Sequence, residues 1–473
     1  MQFNSVIFIL FGAVFFSLWP LLRRRNNTRW IYLVAASFLF YGWWDWRFLF
    51  LIIASGLIDF FAGLGIERFQ RHRKLLLVLS IMGNVGSLAI FKYLDFSVNN
   101  INWMLGSLGI DIQVPVAHLI LPVGISFYTF QSMSYTIDIY RRQLHPTRNI
   151  FHFFAYLSLF PQLVAGPIVR ARDLLPQLRS YKPLSEQERW DGLKLIVFGF
   201  FKKVVVADTL AIAVNTAFGA NTPTASCSYW WIIMIMFAFQ IYGDFSGYSD
   251  IARGLGKWMG YDFPVNFRNP YNASSFREFW QRWHISLSTW FRDYVYISLG
   301  GSRKGKMQGY AAMWFTMLLS GLWHGAAWHF ITWAALHSFY LSIERVTNWP
   351  RKLASLPGGR HLAALTVFLF TVVAWVFFRA ETFSQATEIF GIMFNPTMIN
   401  YAVADSIIDN NETNVLLIIV GCQLFYYFGL DKSKWATSTS RVGVVLESAF
   451  LAFLILTCVF MRAPSNTFIY FQF

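Results

Sequence analysis

The sequence predicts an all-α fold: a polytopic integral membrane helical bundle with re-entrant segments and a central tunnel. Three observations carry this. Hydrophobic residues make up 56% of the chain and charged residues 13%, about half the charged share of a soluble domain. Apolar stretches of about 20 residues, the length that crosses a bilayer, recur throughout. Two further apolar stretches are interrupted by proline and glycine or by a polar strip. Irregular backbone at membrane depth is tolerated only where protein or a water-filled cavity satisfies its polar groups.

In order, spans are expected near 5–22, 30–44, 47–65, 75–91, 116–138, 192–217, 229–250, 308–325, 327–344, 362–379, 414–430 and 444–462. They form a single multi-span domain, 1–473, of about 11 to 12 spanning helices. The first stretch has no positive region before it, and Arg23, Arg24 and Arg25 follow it. That suits a retained helix better than a cleaved signal peptide. Arg29 extends this cluster; Arg68, Arg71, Arg73 and Lys74 follow the third stretch, and Arg141, Arg142 and Arg148 the fifth. Basic loops face the cytoplasm, which puts the N-terminus outside. Residues 218–228 are uncharged, and 380–430 hold acids but no Lys or Arg. Both fall outside, and the tail 465–473 with them. The net charge of +15 is thus read as anchoring to anionic membrane lipid, with no nucleic acid partner. Cys227, Cys422 and Cys458 form neither a disulfide framework nor a CxxC metal pair.

Two segments depart from simple spans. "FHFFAYLSLFPQLVAGPIVRARDLL" leaves one basic loop and reaches another, and Pro161 and the Gly166-Pro167 pair interrupt it. A re-entrant hairpin near 150–168, beside a cavity, is expected. In 276–299, Phe276, Phe279, Trp280, Trp283, Leu287, Trp290, Phe291 and Tyr294 recur at helical steps and give one aromatic face. Arg277, Gln281, His284, Ser288 and Arg292 form the opposite strip. Two readings fit: an interfacial amphipathic helix, or a strip lining a polar cavity entered from the cytoplasm.

The stretch "MWFTMLLSGLWHGAAWHFITWAALHSFY" holds three histidines. His324, next to Trp323, ends a strongly apolar run, where an ionisable residue is costly and points to function. The structural alternative is a neutral imidazole bonded between helices. Gly325 and Ala326 remove bulk beside the ring, which would let a substrate approach. His329 and His337 do not share a helical face with His324, and no zinc-like spacing appears, so no metal is expected. Desolvation keeps such a histidine neutral and basic, suited to taking a proton from an attacking hydroxyl during acyl transfer. There is no GxSxG elbow and no phosphate-binding GxxxxGK[ST] loop, which argues against an ATP-driven pump.

These residues carry a resemblance. "FREFWQRWHISLSTWFRDYVYISLGG" followed by "LLSGLWHGAAWHFITWAALH" resembles the membrane-bound O-acyltransferase superfamily, in its bacterial alginate O-acetyltransferase-like branch. "LPVGISFYTFQSMSYTIDIYR", "LFPQLVAGPI" and "YGDFSGYSDIARGLGKWMGYDFPVNFRNPY" extend the match over most of 30–345. The resemblance implies a funnel from the cytoplasm, His324 as the catalytic residue and His284 as a second functional position. It also implies acetyl-CoA as acyl donor, in the bacterial inner membrane, and export of the acetyl group to a polysaccharide acceptor. Gln131, Asp244, Ser246, Gln281, Ser288 and Trp323 are candidate tunnel-lining residues, with interhelical hydrogen bonding the alternative for Gln131, Asp244 and Ser246. Arg268, Asn269 and Arg277 are candidates for the donor's phosphates, with lipid phosphate an equal claimant.

Two other functions compete: a secondary transporter or flippase with a proton-relay histidine, and a non-catalytic docking subunit. Internal repeats would favour the transporter, and none is seen. The tail "SNTFIYFQF" also has two readings. It suits an interfacial aromatic belt. It also resembles the tyrosine-bearing C-terminal motif of the small partner of the teichoic acid D-alanyl transferase. That resemblance implies Tyr470 as a transient acyl carrier, read by a periplasmic acetyltransferase partner.

Overall fold

Where apolar residues run without a break, the backbone satisfies its own polar groups by coiling, and the described residues are helices joined by turns, with no strand among them. A computed structural model describes residues 1–400 and 441–462, apart from Ala165 and Asn221, together with Gly421. The expected span 414–430 and Tyr470 therefore lie outside the described residues. Among those described, Asn26–Arg68, Arg73–Ser107, Gly359–Arg379 and Gly443–Phe460 are long and apolar enough to cross a membrane. The chain is a multi-pass membrane protein. Its contacts divide it into two units, 1–192 with 252–264 and 193–251 with 265–473.

In the first unit, Val6–Leu22 buries Phe8, Phe15 and Trp19 and exposes Val6, Leu10 and Val14. Unlike a soluble amphipathic helix it is apolar on both faces, with aliphatic side chains turned outward as lipid contact requires. Asn26–Asp45 passes through one 3-10 turn, Trp46–Phe48, into Leu49–Arg68. Asp45 marks the break: its carboxylate accepts the Arg47 backbone N–H at 3.0 Å and pairs with the guanidinium at 2.6 Å. The span expected over 116–138 is shorter than its apolar run. The helix starts at Ile125, after Pro122 and a left-handed Gly124 (φ 78°), because proline disfavours helical backbone in the residue before it.

Polar side chains tie this unit together. The buried Asp59 carboxylate accepts from Ser80 and Ser132 and, at 2.7 Å, from Asn84. It thereby links Leu49–Arg68, Arg73–Leu88 and Ile125–Tyr140, a stronger bond than apolar contact alone gives between helices in lipid. Arg29 is fully buried, not simply a loop charge. Its guanidinium donates to the Leu178 carbonyl at 2.7 Å and so satisfies an orphan carbonyl at the end of Ala171–Arg179. The segment near 150–168 folds as Ile150–Leu157, capped by Asn149, then the short Phe160–Leu163 around Pro161.

In the second unit, residues 193–218 continue through a π-helical stretch, Phe201–Ala207, into Asp208–Phe218. They cross the helix Cys227–Met259 at two glycines. A Cβ at Gly199 would lie 2.6 Å from the Gly247 carbonyl oxygen, and one at Gly247 would lie 2.7 Å from that of Gly199. Only glycine permits this approach, and it brings Lys203 against the facing helix. Lys203 Nζ lies 2.8 Å from Asp208 and 2.8 Å from Asp244. All three side chains are almost wholly buried. Lys202 pairs with Asp250 at 2.8 Å, and Lys194 with Glu447 of Arg441–Phe460 at 3.1 Å.

Candidate active site

The expected continuous amphipathic helix over 276–299 is broken in the middle. Phe276–Arg282 ends, Trp283 is extended, and His284 adopts the left-handed conformation (φ 43°) before Ile285–Phe291 begins. A non-glycine residue there costs roughly 1–2 kcal/mol, and local bonds hold it. His284 Nδ1 accepts the Leu287 N–H at 3.3 Å, a helix N-cap. Asn266 brackets the break: its carbonyl accepts the Ile285 N–H at 2.9 Å and its side-chain oxygen the Ser286 N–H at 3.1 Å. The kink takes His284 off the expected polar strip and buries it completely. Its ring meets Phe245 edge to face at 4.6 Å.

His324 is the last residue of Lys306–His324 and is buried. Three rings meet it edge to face: Trp323 and Trp333 at 5.0 Å each and Phe378 at 5.3 Å. Trp333 comes from Trp328–Thr347 and Phe378 from Gly359–Arg379, so three helices build the wall. Gly325 serves a different end from the one expected. A Cβ there would fall 2.0 Å from the Phe330 ring, so the missing side chain admits Phe330 in place of a substrate. His329 is structural, bonded through Nδ1 to the Phe377 carbonyl at 2.9 Å.

A cavity of about 900 Å³ opens in the same unit. Arg277, Arg292, Arg345 and Arg351 give it positive charge, and Trp280, Ser288, Thr316 and Ser320 extend its wall. Ser320 precedes His324 by four residues on one helix, which puts the two on the same face. Glu344 also lines the cavity, but its carboxylate is engaged by the backbone N–H groups of Phe276 at 2.5 Å and Arg277 at 3.3 Å. With Arg292 paired to Asp293 at 2.7 Å, Arg277, Arg345 and Arg351 still leave the lining with a positive excess over Glu344.

Of the sequence candidates, Arg277 and Ser288 line this cavity. Gln281 is exposed and outside its lining. Arg268 is exposed, and Asn269 is buried at a left-handed turn (φ 47°); neither lines the cavity. Asp244 is held by Lys203, and Ser246 is buried beside it in sequence. Trp323 lies against His324 and, at 6.1 Å, against His284. Gln131 belongs to the first unit and is fully buried.

Residues 116–383, more than half of the chain, match the family described as MBOAT, membrane-bound O-acyltransferase. The chain belongs to this family. As a membrane-bound O-acyltransferase, it is an enzyme that transfers an acyl group to a hydroxyl. It is 41% identical over 405 residues to the probable alginate O-acetylase AlgI of Pseudomonas putida, covering 84% of this chain and 80% of that protein. It is 36% identical to the peptidoglycan O-acetyltransferase of Helicobacter pylori, over 76% of this chain and 72% of the relative. The teichoic acid D-alanyltransferase of Bacillus subtilis is 28% identical over 57% of this chain and 71% of its own length. Sequence reasoning overlooked Lys203 in this acyltransferase. The signal was present, because two adjacent lysines inside the apolar run 192–217 demand buried counter-charges.

Proposed function

We propose that this acyltransferase takes an acetyl group from acetyl-CoA on the cytoplasmic side of the bacterial inner membrane and moves it outward for O-acetylation of a polysaccharide. The named activities of the relatives in Pseudomonas putida and Helicobacter pylori support acetylation of an envelope polymer. The arginine-rich cavity supports a phosphate-bearing donor. The alternation of loop charge supports a cytoplasmic donor side and periplasmic N- and C-termini.

The observation that carries the reading is the position of His324: a buried imidazole walled by aromatic rings, four residues beyond a serine of the cavity wall. The imidazole accepts the proton of the acceptor hydroxyl as its oxygen attacks the thioester carbonyl. The carbon–sulfur bond breaks, the acceptor becomes an acetate ester, and the imidazolium returns its proton to the departing thiolate. The ring wall keeps water from competing as acceptor. His284 acts through Trp323 as a positioning residue, and Tyr470 is the proposed first acceptor, from whose phenol a periplasmic acetyltransferase takes the acetyl group.

The test supplies isotopically labelled acetyl-CoA to the cytoplasmic face of sealed membrane vesicles containing the protein. Label on the C-terminal peptide or on extracytoplasmic polymer supports the reading, and release of free CoA without labelled product contradicts it.

A further inference from the structure

The left-handed backbone at His284 is held from a second stretch of chain. Asn266 is buried, and its carbonyl accepts the Ile285 N–H at 2.9 Å. Its side-chain oxygen accepts both the N–H and the hydroxyl of Ser286, at 3.1 and 2.9 Å. Two residues on, the Arg268 N–H donates to the Arg282 carbonyl at 2.9 Å. Residues 266–268 are therefore a brace, bonded to the chain on both sides of His284. Phe267, in the middle of the brace, packs edge to face on Trp283 at 5.0 Å.

The brace is itself anchored. Asn266 Nδ2 donates to Ser249 Oγ at 3.2 Å, on the helix Cys227–Met259. Ser249 follows Phe245 by four residues, and the Phe245 ring meets His284 at 4.6 Å. One face of that helix thus holds His284 twice, its ring through Phe245 and its backbone through Ser249 and Asn266. The same stretch of helix is firmly fixed, because Asp244 pairs with Lys203 at 2.8 Å and Gly247 crosses Gly199 at backbone contact. A strained residue persists only where its surroundings over-determine it, and such residues gather at functional sites. We infer that Asn266 is a positioning residue for acyl transfer. Tethered to Ser249, it keeps His284 left-handed and so keeps the His284 ring on Trp323, which packs on His324. This rests on the assignment of the chemistry to His324.

The test measures kcat and the KM for acetyl-CoA in vesicles containing equal amounts of folded wild type, Asn266→Ala, His284→Gly, the double variant and His324→Ala. Asn266→Ala is expected to lower kcat roughly tenfold to a hundredfold with KM unchanged, since neither Asn266 nor His284 lines the cavity. Glycine takes the left-handed backbone without a brace, so adding Asn266→Ala to His284→Gly is expected to cost no further activity. Equal falls in both backgrounds, the pattern of independent sites, or a KM change as large as the kcat change, overturn the positioning role. If Asn266→Ala yields no folded protein, Ser249→Ala cuts only the tether and is read by the same comparison, with a smaller fall expected. If His324→Ala is inactive while the Asn266 or Ser249 variant matches wild type, only the positioning role fails. If His324→Ala equals wild type, whether both transfer or neither does, the assignment to His324 fails and the positioning role falls with it.

Discussion

His284 and His324 are joined through one ring: Trp323 meets His324 edge to face at 5.0 Å and His284 at 6.1 Å. Edge-to-face contacts fix ring orientation as well as distance, so a change at His284 is expected to reach His324 through the shared indole.

His284→Asn is expected to keep the thermal unfolding midpoint close to wild type and to retain measurable acetyl transfer. Asparagine tolerates the left-handed backbone and can cap the following helix. His284→Leu loses both properties, and the missing cap alone costs about 1 kcal/mol. Unfolding in detergent and transfer assays on the two variants check this. An Asn variant that is fully stable but inactive would give His284 a chemical role in place of a positioning one.

Lys203→Met leaves the Asp208 and Asp244 carboxylates buried around a lost cation. The expected cost is about 3–5 kcal/mol, the range for breaking a buried ion pair on one side. Replacing all three with apolar residues should recover most of it, because no uncompensated charge remains. Chemical denaturation of both proteins in detergent reads the difference.

How much of this was legible in the sequence follows from the range of each interaction. Spans such as Gly359–Arg379 and Arg441–Phe460 show in local hydropathy, because the bilayer acts on each segment separately. The burial of His324 was legible for the same reason, since it ends an apolar run. The break at His284 was not, since helical spacing continues through it and the bonds that hold it come from Asn266. Nor was the purpose of Gly325, where the decisive neighbour is the Phe330 ring from the next helix. The late start of the helix at Ile125 was announced by Pro122 and was overridden by the length of the apolar run.

Gly325→Ala drives a methyl group into Phe330, which packs on Phe378 at 5.2 Å, itself part of the His324 wall. Overpacking of this kind costs roughly 1–3 kcal/mol. The expected result is a fall in kcat with little change in donor KM, and partial recovery when Phe330→Leu is added. An unaffected kcat would show that the wall around His324 is not needed in its present geometry.

Arg345→Ala and Arg351→Ala remove cations from the cavity lining. Each is expected to raise the KM for acetyl-CoA about tenfold with kcat unchanged, the pattern of lost uniform binding to a charged group. Raising the ionic strength should weaken donor binding by the wild type in the same direction. Acetyl-pantetheine, which lacks the nucleotide phosphates, should be indifferent to both substitutions.

The most direct measurement compares His324→Ala with wild type for transfer from labelled acetyl-CoA, in vesicles containing equal amounts of folded protein. Proton transfer by a positioned base contributes about 10²–10⁴-fold. Loss of acetyl transfer of that size, with coenzyme A binding retained, is the predicted result. Transfer at the wild-type rate would contradict the assignment of the chemistry to His324.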